Sequence, residues 1–105
     1  MSYPWSGTYV RPPTFTPARP DPEASPAPPF PRDARFAGSA GIVLVLVRVS
    51  ARGAVTEARI GESSGSRPLD RAALEAVGRW RFLPARLDGE PCDSEVLLPV
   101  RFRLD

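Results

Sequence analysis

The distribution of apolar residues predicts two neighbouring strands in the middle of the chain. Residues Ile42 to Val49 are almost uninterruptedly apolar, so both faces of an extended strand are apolar there. Strands of this kind normally lie in the centre of a sheet. Arg52-Gly53 is a turn signal, and Ala54 to Ile60 predict a second, weaker strand that pairs antiparallel with the first. The apolar positions of this second strand change parity, which indicates a β-bulge or an early end of the strand.

An amphipathic helix is predicted after the loop at residues 61–65. Ser66 is a candidate N-cap, and Pro68 is tolerated in the first helical turn. Apolar residues then recur at helical spacing along one stripe, which is typical of a helix that packs on a sheet. The stripe consists of Leu69, Ala73, Ala76, Val77 and Trp80. We expect Trp80 to be a principal anchor between this helix and the sheet.

The last strand alternates between two kinds of residue. One side carries Val96, Leu98, Val100, Phe102 and Leu104, and the other carries Glu95, Leu97, Pro99, Arg101 and Arg103. A proline has no N–H to give to a β-ladder, so within sheets it is confined to edge strands. Pro99 therefore predicts that this strand is an edge. It also predicts that the odd-numbered residues present their backbone N–H and C=O groups outward.

Together these elements predict an α+β fold of two layers. A short helix over Phe30 to Gly38 precedes the order β-β-α-β. The helix between the second and third strands returns the third parallel to the second, so the third lies antiparallel beside the first. The prediction is a three-stranded antiparallel sheet with the spatial order 2-1-3 and with the helices on one face.

The first 29 residues differ in composition from the rest of the chain. Ten of the 14 prolines lie at or before Pro31, among Ser, Thr and a few charged residues. Such a segment does not bury enough apolar area to offset its chain entropy. We therefore expect a flexible, Pro-rich tether over residues 1–29 and a single folded domain over residues 30–105. A domain of this size lies near the lower limit for folding alone.

Composition and charge argue against several functional classes. The 14 basic residues, all of them arginine, are interspersed with 12 acidic residues, so no basic face for nucleic acid is indicated. The chain has no histidine and no metal-ligand or nucleophile–base motif, and we predict no enzyme activity, catalytic residue, metal site or cofactor. Cys92 is the single cysteine and is expected to be a half-buried apolar filler. No apolar stretch is long enough for a membrane-spanning helix.

Several short motifs, taken in their order, resemble a known protein family. The motifs are FP at 30–31, AR at 34–35, SSG at 63–65, LD at 69–70 with AAL at 72–74, WRF at 80–82 with PA at 84–85, GEP at 89–91, and the alternating strand from Val96 to Leu104. This order resembles the carboxy-terminal, periplasmic domain of TonB-family energy transducers. The resemblance covers roughly Pro29 to Leu104.

The resemblance implies a function in transport across the outer membrane. TonB-like domains bind an extended segment of an outer-membrane transporter, the TonB box, by adding it as a β-strand. The implied function is to couple the inner-membrane proton motive force to the uptake of siderophore-iron or cobalamin-like substrates. The implied partners are outer-membrane TonB-dependent transporters and, through the parent chain, an inner-membrane complex of the ExbB–ExbD type. The implied location is the periplasm, with an inner-membrane anchor in the parent protein that this chain does not contain.

The outward edge of the last strand is the expected partner-binding site. Its residues are Glu95, Leu97, Pro99, Arg101 and Arg103. Two alternatives remain open, one of which is that proline and arginine only protect this edge from aggregation. The other is that the chain is a stand-alone TonB-like module that binds peptides or dimerises without energy coupling. A homodimer is expected to use the same outward backbone groups.

Overall fold

The computed structural model describes residues 12–33 and 40–103. The elements bounded within these residues are β1 (Phe15–Thr16), β2 (Arg19–Pro20), β3 (Gly41–Val49), β4 (Val55–Glu62), α1 (Arg67–Arg79), β5 (Phe82–Leu83), β6 (Ala85–Leu87), β7 (Glu90–Cys92) and β8 (Ser94–Phe102). The α+β class that the sequence predicts is confirmed.

The main sheet has β3 in its centre. This strand pairs antiparallel with β4 on one side and with β8 on the other, so the strand order is β4-β3-β8. The side chains of Val43, Val45, Val47 and Val49 are buried on one face of β3. The first long strand is therefore central and the last strand is an edge, as their patterns of apolar residues predict.

The two pairings of β3 differ in regularity. Register shifts in two places leave Thr56 and Gly61 of β4 without an opposite residue on β3. These irregularities confirm the bulge that the change of parity in β4 predicts. The pairing of β3 with β8, in contrast, runs without a shift along the whole of β8.

Helix α1 covers the valine face of the main sheet. Its buried residues are Leu69, Ala73 and Val77, whereas Ala76 and Trp80 of the predicted stripe are half-buried. Ser66 occupies the N-cap position with an extended backbone, but its side chain makes no capping hydrogen bond. The core is completed by residues of α1, β3, β5, β6 and β8, and the last three contribute Phe82, Ala85, Val100 and Phe102. One helix face and one sheet face thus form the two expected layers.

The prediction of a single three-stranded sheet is incomplete. Residues 82–92 form three short strands, and these pair with two N-terminal strands in the orders β1-β6-β7 and β2-β5. Sequence pattern does not indicate them, because strands of two or three residues are too short to show an alternation. Pro84 and Pro91 also interrupt the segment.

Residues 12–29, called here the N-terminal arm, contact the folded domain instead of standing apart from it. Phe15 lies opposite Leu87 in the β1–β6 pair, and Ala18 is buried. The indole Nε1–H of Trp80 donates to the Pro26 carbonyl over 2.7 Å. The arm thus lies against the domain at these points, whereas residues 1–11 of the predicted tether lie outside the described part of the chain. The flexible, Pro-rich tether over residues 1–29 stays a prediction. The prolines of the arm fix the extended backbone in advance, which lowers the entropy lost when the arm binds.

The expected helix at the start of the domain lies only partly within the described residues. Arg32 and Asp33 are helical, and residues 34–39 lie outside the described part of the chain. Just before them, the ring of Phe30 meets that of Phe102 edge-to-face, with the centroids 5.8 Å apart and the planes at 88°. This contact joins the entry of the domain to the core.

Candidate functional site: the edge strand β8

The outward backbone groups of β8 can be identified from the central strand. The position that a Cβ would take at Gly61 of β4 is 3.2 Å from the carbonyl oxygen of Leu44. The Leu44 backbone groups therefore point toward β4. Leu44 lies opposite Pro99, and in an antiparallel ladder such a pair is the non-hydrogen-bonded kind. The backbone of Pro99 consequently faces away from β3.

The outward orientation recurs at every second residue of β8, because the register of β8 with β3 is unbroken. Glu95, Leu97 and Arg101 share the parity of Pro99 and present their N–H and C=O groups outward. Within the described residues, β3 is the strand that pairs with β8, and the opposite side of β8 has no strand. Four of the five predicted site residues thus lie in one row on an open edge.

Arg103 does not belong to this row. Strand β8 ends at Phe102, and Arg103 is an exposed residue beyond that end. The alternation of residue types continues past the last ladder pair, so sequence pattern alone does not locate the end of the strand. Arg103 is therefore adjacent to the candidate edge and not a member of it.

Charges are distributed unevenly along the edge. At the start of β8, Arg48 Nε lies 3.3 Å from Glu95 Oε2 and 3.8 Å from Glu57 Oε2. These three side chains are between 44% and 64% exposed, so water screens the pairs and each contributes little to stability. At the other end of the strand, Arg101 is exposed. The amino-terminal end of the edge therefore carries one cation between two carboxylates, and its carboxy-terminal end carries a cation.

An apolar surface adjoins the edge on the face that α1 does not cover. Leu97 is 54% exposed and Ile42 is 43% exposed. The Cδ1 atom of Leu97 lies only 2.7 Å from the position that a Cβ would take at Gly61. Leu97 thus reaches across the sheet to a place where glycine leaves room. A strand added to β8 would find apolar contacts on this face for its alternate side chains.

The other edge of the main sheet, β4, is less suited to strand addition. Its two bulges at Thr56 and Gly61 break the regular spacing of backbone groups. Glu57, Arg59 and Glu62 are exposed along it. Bulges and charges are the usual devices that protect an edge from pairing. Strand β8 is therefore the edge with the longer regular row of backbone groups.

The SSG and LD motifs have a local structural function near this sheet. The Asp70 carboxylate accepts hydrogen bonds from the Ser63 hydroxyl, from the Ser64 N–H over 3.0 Å and from the Ser64 hydroxyl over 2.7 Å. Burial acts to raise the pKa of Asp70, but these hydrogen bonds outweigh it and hold that pKa below its ordinary value. Asp70 also lies in the first turn of α1, where a carboxylate complements the helix dipole. The recurrence of serines just before a helix, with an aspartate in its first turn, is the signal for this loop-binding role.

Other candidate chemistry is sparse in the described part of the chain. No group of three or more His, Cys, Asp or Glu residues lies close enough there to hold a metal ion. Cys92 is half-buried and packs against the core, which confirms its expected role as a filler. None of the described helices has the length and apolar character needed to cross a bilayer.

Comparison with known proteins points to one family. The profile of the family described as "Gram-negative bacterial TonB protein C-terminal" matches residues 26–104. Protein TonB of Vibrio cholerae serotype O1 is 38% identical over 78 residues, which are 74% of this chain and 32% of that protein. Protein tonB2 of Pseudomonas aeruginosa is 41% identical over 81 residues, which are 77% of this chain and 30% of that protein.

A third relative gives the same result. Protein TonB of Xanthomonas campestris pv. campestris is 38% identical over 78 residues, or 74% of this chain and 35% of that protein. The chain thus spans about a third of the length of the curated relatives that it matches. The matched residues 26–104 include both edges of the main sheet, α1 and the SSG and LD motifs. The chain belongs to the family of TonB carboxy-terminal domains.

Proposed function

We propose that the chain acts as the periplasmic carboxy-terminal domain of a TonB-like energy transducer and binds the TonB box of outer-membrane transporters by β-strand addition at β8. In this function it couples the inner-membrane proton motive force, supplied through an ExbB–ExbD-type complex, to uptake of siderophore-iron or cobalamin-like substrates. The binding residues are Glu95, Leu97, Pro99 and Arg101, with Arg103 just beyond the strand.

The observation that carries the proposal is the regular, open edge of β8 in a chain of this family. Each backbone hydrogen bond to an added strand contributes about 0.5–1.5 kcal/mol net. The handful of bonds that β8 offers therefore supports a grip that is specific but releasable. Backbone bonding also tolerates variation in the ligand sequence, which suits a domain that serves more than one transporter.

Mapping by NMR tests where an extended ligand binds. A short synthetic peptide with the TonB box of an outer-membrane transporter is titrated into the isotopically labelled chain. We expect chemical-shift changes centred on the amides of Glu95, Leu97 and Arg101, with smaller changes in β3. Changes centred on β4, with β8 silent, would refute the proposed edge.

A pair of proline substitutions separates binding from folding. Leu97→Pro removes an outward N–H and leaves the ladder to β3 intact, so we expect peptide affinity to fall by about threefold to tenfold while the fold is retained. Val100→Pro is the matched control, because Val100 lies opposite Val43 and its N–H points inward. We expect this second variant to unfold. Unchanged peptide affinity in a folded Leu97→Pro variant would contradict the proposal.

Energy coupling is tested in cells. Residues 12–105 replace the corresponding domain of the TonB protein in a host whose own tonB gene is deleted, and growth is measured with a ferric siderophore as the iron source. We expect the chimera to restore growth and its Leu97→Pro variant to restore less. A chimera that is expressed and binds the peptide in vitro, yet does not restore growth, would leave peptide binding standing and refute energy coupling.

A further inference from the structure

We propose that Pro99 determines which strands the β8 edge accepts, favouring a short peptide over the β8 strand of a second copy of this chain. The inference rests on the proposed function, because it concerns the same edge. The inference gives Pro99 a specificity-determining role, whereas the missing N–H alone would only weaken binding at that edge.

Pro99 places a gap in the middle of the outward row. It lies within β8 (Ser94–Phe102), opposite Leu44, with its backbone facing away from β3. A strand added there finds the Pro99 carbonyl as an acceptor but no N–H as a donor. The pyrrolidine ring also occupies the space where that hydrogen would lie. One carbonyl of any strand that crosses this position is left without a partner on β8.

The side chains of β8 would otherwise favour pairing with a second copy. When two β8 strands overlap fully in an antiparallel arrangement, Glu95 of one copy lies opposite Arg101 of the other. Opposite charges across a strand pair are favourable, and each such pair occurs twice by symmetry. The exposed Leu97 side chains would also come close to each other near the symmetry axis. Charge and apolar contact alone therefore do not prevent the chain from self-associating at this edge.

The gap at Pro99 opposes this self-association more strongly than it opposes a peptide. In the fully overlapped pair, Pro99 of each copy lies opposite Leu97 of the other, so the Leu97 carbonyl loses its donor on both sides of the axis. A peptide meets the gap once, and it can also end at Pro99 and bind one half of the strand. Since each missing hydrogen bond lowers an association constant by about threefold to tenfold, a second copy is penalised by about the square of that factor.

Two variants of the full chain test the inference. Pro99→Ala restores the outward N–H, and Pro91→Ala is the matched control, because Pro91 is an exposed strand proline in β7. Self-association is measured by sedimentation equilibrium, and affinity for the TonB-box peptide by isothermal titration calorimetry. For Pro99→Ala we expect peptide affinity to rise about threefold to tenfold and the dimerisation constant about tenfold to a hundredfold. Pro91→Ala is expected to change neither.

The outcomes distinguish this inference from the proposed function. If the peptide binds at β8 but Pro99→Ala changes neither constant, or raises both by the same factor, the specificity role of Pro99 is refuted alone. If no peptide binds at β8 of the wild-type chain, the proposed function fails and the inference fails with it. Thermal unfolding of both variants shows whether the fold is retained.

A peptide experiment avoids any change to the protein itself. The synthetic peptide of residues 94–102 is titrated into the wild-type chain beside the same peptide with alanine at position 99. The alanine peptide presents the restored donor, so we expect it to bind about threefold to tenfold more tightly. Equal affinities of the two peptides would overturn the inference.

Discussion

The contact between Trp80 and the N-terminal arm can be measured as a coupling free energy. Trp80 is the C-cap residue of α1, is half-buried, and donates its indole N–H to the Pro26 carbonyl over 2.7 Å. Truncation of a fully buried tryptophan costs about 3–5 kcal/mol. Because Trp80 is only half-buried, we expect Trp80→Ala to cost roughly half of that, ~2 kcal/mol. The hydrogen bond to the arm accounts for about 0.5–1.5 kcal/mol of this loss.

The coupling is isolated by a double-mutant cycle. Trp80→Ala is compared in the full chain and in a chain that begins at Phe30 and therefore lacks the arm. We expect the substitution to lower the free energy of unfolding by about 0.5–1.5 kcal/mol less in the shortened chain than in the full chain. Stability is measured by urea unfolding, followed by far-ultraviolet circular dichroism so that the loss of a tryptophan does not affect the signal.

A control variant and one clear outcome decide the interpretation. Ile42 lies on the face of the main sheet that α1 does not cover, so Ile42→Ala is expected to cost the same in both chains. Equal costs of Trp80→Ala in the two chains would refute the docked arm. Residues 1–29 would then be the independent tether that their composition predicts, and the half-burial of Trp80 would come from the domain alone.

Two further predictions concern stability. The pKa of Asp70 lies below its ordinary value in the folded state, so the ionised carboxylate adds stability that is present above pH ~4 and is lost as pH falls through the folded-state pKa. We expect Asp70→Asn to destabilise the domain at neutral pH and the difference in unfolding free energy to shrink below pH ~4; a difference independent of pH would contradict this. Gly53 has φ of +81°, and a Cβ there would lie 2.1 Å from the Phe82 carbonyl oxygen, whereas a Cβ at Gly78 in α1 meets nothing within 4 Å. Gly53→Ala should therefore lower the unfolding midpoint markedly and Gly78→Ala raise stability by about 0.5–1 kcal/mol, and shifts of the same sign in thermal unfolding would refute this assignment.

The main sheet was predictable because each of its strands carries its own signal. The apolar run of β3 identifies a strand with a paired neighbour on each side. Pro99 identifies β8 as an edge without reference to any other element. The parity change in β4 likewise reports a bulge that the register confirms. In each case the physical constraint acts within a few residues, so the sequence displays it directly.

The arm and the short strands were not predictable in this way. Strands β1 and β2 are two residues long, and each exists only because a partner segment lies beside it. Their stability depends on the tertiary position of β5 and β6, which no local pattern encodes. A proline-rich composition correctly indicates an extended chain, but it does not distinguish an extended chain in solution from one that is docked. Ala18 is buried between exposed neighbours, and only the folded structure reveals that the arm packs on the domain there.

The row of outward-facing residues on β8 was predictable in position but not in extent. Pro99 alone fixes the parity of the outward row, so the sequence locates Glu95, Leu97 and Arg101 correctly on the same side of β8. It extends the row to Arg103 as well, because alternation of residue types continues beyond Phe102 while the ladder does not. The contact of Leu97 with Gly61 depends on the close approach of two strands and has no counterpart in the sequence pattern.

Proline has opposite effects on two strand edges of this chain, the short edge of β5 and the long edge of β8. In the arm, prolines such as Pro20 stabilise an extended backbone that pairs with β5 and so covers a short edge. In β8, Pro99 leaves the long edge open but removes one donor from it. The bulges of β4 protect the remaining edge of the main sheet. Of the two edges of the main sheet within the described residues, β8 therefore has the longer regular row of outward backbone groups. Pro99, which identifies β8 as an edge, also limits what can pair with it.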